Sequence, residues 1–170
     1  MAKTFSIPEV HLAQKATIGI APCPGRHNDL EADFNALEAW GAEILISLVE
    51  GQEFSALRVP EFSDQVQTRG VRWYHLPIID MGVPGDKFMS AWNKNATDIL
   101  RTLEQGGRIV VHCAGGRGRS GMIAAKLLTT FDVPAQEAIT RVRSARPGAI
   151  ETREQEEYVL NGPALSAGPT

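Results

Sequence analysis

Cysteine is scarce in this chain: two in 170 residues, Cys23 and Cys113. So thin a supply excludes the disulfide framework of a small secreted domain, and a reducing compartment, where a reactive thiol stays usable, is expected. Long apolar runs are missing as well, and none approaches the roughly 18 residues of a membrane span. The opening stretch "MAKTFSIPEVHLAQ" has no apolar core or small-residue cleavage site, so no signal peptide is expected and the cytoplasm is the expected location. One-sided charge is lacking too. With 17 Lys and Arg against 20 Asp and Glu, the net charge of −3 gives no global support for binding nucleic acid or an anionic membrane. What remains, 43% hydrophobic and 22% charged, is the make-up of an ordinary globular protein whose length suits one domain.

Apolar periodicity alternates between two kinds. "ATIGIA" (16–21), "EILISLV" (43–49), "VRWYHLPII" (71–79) and "RIVVH" (108–112) are short runs rich in β-branched residues and read as strands. Between them, "NDLEADFNALEAWG" starts at a capping Asn28 or Asp29 and ends at Gly41, and "DKFMSAWNKNATDILRTLEQGG" repeats Phe88, Trp92, Ile99 and Leu103; both read as helices. The last third is helical in pattern throughout. The expectation is a single α/β domain over 1–170, its core about 16–161, with a central, mostly parallel sheet flanked by helices and a frayed tail at 162–170.

One stretch, "VHCAGGRGRSGM", concentrates the chemistry. It places Cys113 after a buried strand and before four glycines in seven residues, and a helical pattern follows. Glycine loses more backbone entropy on folding than any other residue, so this density suggests that the backbone itself must approach something. At a strand-to-helix turn, successive N–H groups can form a nest for an anion, reinforced by the positive end of the helix. Arg119 adds a planar fork able to grip two oxygens of a phosphate. A thiol in such surroundings loses its proton readily, and the thiolate can attack a bound phosphorus to give a phosphocysteine. Residues 114–119 (Ala114, Gly115, Gly116, Arg117, Gly118, Arg119) are the expected phosphate-binding loop. The bland alternative, a small buried cysteine among turn glycines, suits an isolated cysteine better than one followed at this spacing by Arg119 and Ser120.

"HCAGGRGRSG" resembles the Cys-x5-Arg-Ser/Thr signature of cysteine-dependent phosphatases, in the dual-specificity branch. "APCPGR" (21–26), "RVPEF" (58–62), "LPIID" (76–80) and "GAIETREQ" (148–155) occur in the order seen in the kinase-associated phosphatase group and its bacterial relatives. The resemblance covers roughly residues 20–160 and implies a phosphatase that uses no metal and no cofactor. It also implies that Cys113 is the nucleophile, Arg119 the phosphate clamp, Ser120 the hydroxyl that stabilises the departing thiolate, and His112 a support for the loop.

A departing alkoxide or phenoxide needs a proton from elsewhere. Asp80 and Asp86 lie within "LPIIDMGVPGDKF". Asp80, after a strand and before a Gly/Pro-rich loop, is the expected acid, as in the family, while Asp86 reads as a helix N-cap. Gln155 matches a glutamine that positions the hydrolytic water in many relatives, although a solvated helix face is an alternative among its charged neighbours. Arg117, where close relatives often carry an apolar residue, is either a solvated cation or an attractor for a second phosphate. Cys23 is a structural residue or a redox partner for Cys113.

The expected substrate is a phosphoprotein, phosphorylated on tyrosine or on serine and threonine. Alternatives are an inositol phosphate or phosphoinositide, a non-catalytic phosphate-binding module, and a sulfurtransferase or arsenate enzyme. The five-residue spacing and Asp80 argue against the last of these.

Overall fold

The computed structural model describes residues 4–167. The order along the chain is β1 (Glu9–His11), β2 (Thr17–Ala21), α1 (Leu30–Trp40), β3 (Ile44–Ser47), α2 (Glu53–Ala56), α3 (Phe62–Val66) and β4 (Arg72–His75). It continues with α4 (Asp86–Glu104), β5 (Arg108–His112), α5 (Gly118–Thr130), α6 (Ala135–Ala145) and α7 (Arg153–Asn161). The five strands form one sheet in the order β1-β2-β5-β3-β4. Three pairings are parallel, as expected, while β1 adds an antiparallel edge, so the sheet is mixed. That edge was not legible, because three residues behind Pro8 give no measurable alternation.

β2, β3 and β5 are buried at every position save Arg108, because helices cover both faces. Ile18, Ile20, Ile44, Ile46, Ile109 and Val111 face a large core with α4, α5 and α6. Ala21, Leu45 and Val110 face a smaller one with Phe34, Phe54 and Phe62 from α1–α3. This two-sided burial explains why the strands read as continuous apolar runs rather than alternating ones. β5 lies between β2 and β3, so the strand order reverses around it, and the crevice beyond the carboxyl ends of such strands is where α/β sheets place their sites. Cys113 follows β5 directly.

Several local expectations change in detail. Asp29, not Asn28, caps α1, accepting from the Ala32 N–H at 3.1 Å, and Gly41 closes that helix at φ 96°. Asp86 is not an N-cap. Gly85 holds that position and Asp86 is the first helical residue, where its charge suits the positive helix end. The tail is not frayed over its described part: Leu165 is buried, the Trp92 indole donates to the Ser166 carbonyl at 2.9 Å, and the Thr130 hydroxyl donates to the Leu165 carbonyl at 2.9 Å. The expectation for 168–170 lies outside the described residues. No described helix is long and apolar enough to cross a membrane.

Candidate active site

The loop after β5 is held from outside by its carbonyls. Cys23 N–H donates to the Ala114 carbonyl at 3.1 Å, and Arg146 donates to those of Gly115 at 3.2 Å and Gly116 at 3.0 Å. The Arg117 carbonyl accepts from the N–H groups of Ile150 and Gly121. In a trans peptide the C=O of one residue and the N–H of the next point in opposite directions. Four carbonyls turned outward therefore turn the N–H groups of residues 115–118 inward. Gly116, at φ 72°, makes this possible, since a Cβ there would lie 2.5 Å from Pro22 N and 2.6 Å from the Ala21 carbonyl carbon. The result is a nest at the start of α5 with the Cys113 sulfur in it, 3.3 Å from the Ser120 hydroxyl.

Arg119 is 2% exposed and ion-paired in a defined geometry. Its Nη1 and Nη2 donate to the two oxygens of Glu53 at 2.8 and 3.0 Å, and Nη1 also donates to the Ile78 carbonyl at 2.9 Å. Burial opposes both charges, but the fork of hydrogen bonds outweighs it, holding the Glu53 carboxyl below and the Arg119 guanidinium above their ordinary values. The Glu50 N–H steadies Glu53 at 2.7 Å. Asp80 approaches the same guanidinium, with Oδ1 3.2 Å from Nη2, and its side chain is 68% exposed.

His112 lies beneath the loop, fully buried, and burial pushes it down to about 4, so the ring is neutral at neutral pH. Its partners fix the tautomer. Nδ1 lies 3.0 Å from the Cys113 carbonyl, which can only accept, so Nδ1 carries the proton. Nε2 then accepts from the Ser47 hydroxyl at 2.5 Å, and that oxygen in turn accepts from Trp73 Nε1 at 2.8 Å. Register explains the meeting, since Ser47 pairs directly with His112 across β3 and β5.

The six expected site residues thus converge around one nest: Cys113, Arg119, Ser120 and His112 from the loop and its strand, Asp80 against Arg119, and Gln155 alongside. Gln155 is fully buried and not on a solvated helix face. Its Nε2 donates to the Gly82 carbonyl of the loop that carries Asp80, at 3.1 Å. Arg117 is exposed at the rim, beside Gly148. Cys23 is buried, its thiol pushed up to about 12 chiefly by burial, and it donates to the Pro24 carbonyl at 3.6 Å. Sequence reasoning missed Glu53, Ser47, Trp73 and Arg146. Among the described residues no three His, Cys, Asp or Glu side chains are grouped to hold a metal ion.

A buried sulfur within an amide nest, an arginine fork beside it and a carboxylate at its mouth make up the site, and the comparisons give the family. The family described as a Swiss Army Knife protein, DSP-PTPase phosphatase domain, matches residues 23–159. This chain belongs to that family. The cyclin-dependent kinase inhibitor 3 of Mus musculus is 31% identical over 150 residues, covering 84% of this chain and 69% of that protein. That of Homo sapiens is 29% identical over 164 residues, covering 91% and 74%. A crystal structure of kinase-associated phosphatase, its catalytic-site cysteine replaced by serine, superposes with a TM-score of 0.82 at 25% identity, covering 94% of each chain. The chain is a cysteine-dependent dual-specificity phosphatase domain, as its sequence signature led us to expect.

Proposed function

We propose that residues 1–170 form one phosphoprotein phosphatase domain acting on phosphotyrosine, phosphoserine or phosphothreonine in the cytoplasm. In this mechanism the Cys113 thiolate attacks phosphorus, the bond to the leaving oxygen breaks, and Asp80 gives that oxygen its proton. Water then attacks the phosphocysteine, giving a proton to Asp80, and the sulfur leaves as a thiolate steadied by the Ser120 hydroxyl. The inward N–H groups and Arg119 hold the equatorial oxygens, where charge is stabilised without reorganisation. His112 keeps the Cys113 carbonyl turned away from the sulfur.

The observation that carries this reading is the Arg119 fork. Glu53 occupies its terminal edge and Ile78 takes a further Nη1 proton. The edge made by Nε and Nη2 faces Asp80, whose Oδ1 lies 3.2 Å from Nη2, and the anion would take this edge in place of that contact. A phosphate taking that edge meets Asp80 at once, as acid catalysis requires.

Turnover of nitrophenyl phosphate under reducing conditions, unchanged by EDTA, tests the chemistry, and tight phosphate-ester binding without release would make the chain a binding module instead. A second reading, an inositol phosphate or phosphoinositide as substrate, draws on Arg117, exposed at the rim, and on Arg26, whose Nη1 would lie 3.7 Å from a Cβ placed on Gly115. Parallel rates on phosphopeptides and on inositol phosphates, free and in vesicles, separate the two; faster turnover of phosphopeptides supports the first.

A further inference from the structure

Backbone takes three of the four hydrogen-bonding positions of the Gln155 amide: both lone pairs of Oε1 and one proton of Nε2. Its Oε1 accepts from the N–H groups of Glu151 at 3.0 Å and Thr152 at 3.2 Å, which accounts for both lone pairs. The Thr152 hydroxyl accepts from Gln155 N–H at 3.0 Å, completing a capping box at the start of α7. Nε2 crosses to the Gly82 carbonyl. The same amide lies against the anion loop, for a Cβ on Gly118 would come within 3.1 Å of Oε1 and 3.3 Å of Nε2.

The other end of α7 is anchored as well. Buried Lys126 of α5 donates to the carbonyls of Tyr158 at 3.2 Å and Gly162 at 2.8 Å, tying α7 to the helix that begins at the anion loop. Gln155 therefore projects from a fixed base. Its target is the turn that carries the acid, in which the Gly82 N–H closes onto the Ile79 carbonyl at 2.8 Å and Met81 adopts φ 65°. Ile79, Asp80 and Met81 are all exposed, so core packing does not hold this turn. Two hydrogen bonds bracket it: Arg119 on the Ile78 carbonyl before Asp80, and Gln155 on the Gly82 carbonyl after it.

We infer that Gln155 is a positioning residue for the general acid, a buried strut that fixes the Asp80 turn to the anion loop. The inference rests on the reading of Cys113 as nucleophile and Asp80 as acid. Removing one buried hydrogen bond shifts a local equilibrium by about fivefold, and more where the carbonyl is left without a donor. The loss should fall on phosphoryl transfer to poor leaving groups, which need the acid most.

The test uses the full chain with Gln155→Glu, which keeps the shape and the acceptors but cannot donate to Gly82, and Gln155→Met, which keeps only length. kcat/KM is measured with phenyl phosphate and nitrophenyl phosphate. This ratio covers only steps through phosphoryl transfer, so a residue acting on the later water leaves it unchanged. We expect a loss of about tenfold on phenyl phosphate and less than about threefold on nitrophenyl phosphate in both variants. With Asp80→Asn already present, either substitution should cost less than about twofold more on phenyl phosphate, because the two residues act as a unit. The contrast between substrates does not depend on how much of a variant is folded.

Unchanged kcat/KM on both substrates, with phosphocysteine accumulating, would overturn the inference in favour of the water role. Equal losses on both would overturn it in favour of support for the anion loop. If the wild-type chain turns over neither substrate, the phosphatase reading fails and takes the inference with it.

Discussion

The anion loop and the acid turn face each other across one site and are built in opposite ways. The loop is held from behind: its carbonyls are gripped by Cys23, Arg146, Ile150 and Gly121, and its buried Arg119 is locked by Glu53. The acid turn is exposed on three successive side chains and held at its two shoulders. A cradle for a dianion gains from rigidity, because dipoles aimed beforehand need no reorganisation when charge develops. An acid that must meet substrates of different shape, and later a water, gains from standing in solvent on a short tether. In the proposed mechanism, rigidity serves phosphate binding and accessibility serves proton transfer.

Substitutions on the two sides should therefore fail differently. Cys113→Ser should abolish turnover while phosphate-ester binding, measured by calorimetry, is retained; residual turnover above the buffer rate would remove Cys113 from its role. Next, Arg119→Lys should lower kcat by about 10²-fold or more on every substrate, because an ammonium cannot reproduce the fork toward both Glu53 and the anion. On the acid side, Asp80→Asn should cost about 10²-fold on phenyl phosphate and far less on nitrophenyl phosphate. Equal losses would merge the two regions into one function.

Smaller effects sharpen the contrast. Arg146→Met removes both donors to the Gly115 and Gly116 carbonyls and should raise KM for all substrates by about tenfold, with no leaving-group dependence. The beneath-loop network gives a pH signature. His112 is pushed down to about 4 by burial, below its ordinary value of 6.5, so between these values the unfolded chain binds the proton and the folded chain does not. Stability is fully present above about pH 6.5 and is lost as pH falls toward 4. Thermal melting over this range should show the decline, and it should be smaller in His112→Gln, in which the titrating group is gone.

How legible these regions were differs for the same physical reason. Cys113, Arg119 and Ser120 lie within eight residues after an apolar strand, and a glycine cluster at a strand-to-helix turn has few explanations. The strands β2, β3 and β5 and the helices α1 and α4 were legible for a similar reason: burial on both sheet faces, or on one helix face, imposes a period. Glu53 was not, because α2 is a four-residue helix with no period to read, and its partner Arg119 is 66 residues away. Ser47 and Trp73 look like ordinary strand residues until register brings them beside His112. Arg146 resembles any cation at a helix end. Gln155 sits among charged residues in the sequence, and only the fold turns it inward beneath Gly82. Local chemistry was readable and long-range support was not.

The most direct test of the central claim is to quench Asp80→Asn with acid during turnover of nitrophenyl phosphate and to map phosphate by peptide mass spectrometry. This substrate needs little help in departing, whereas the water has lost its proton acceptor, so the intermediate should accumulate. The account predicts one phosphoryl group on the peptide that contains Cys113, bonded to sulfur and lost on treatment with a strong nucleophile. Turnover with Cys113 unmodified, or phosphate on Ser120 instead, would contradict it.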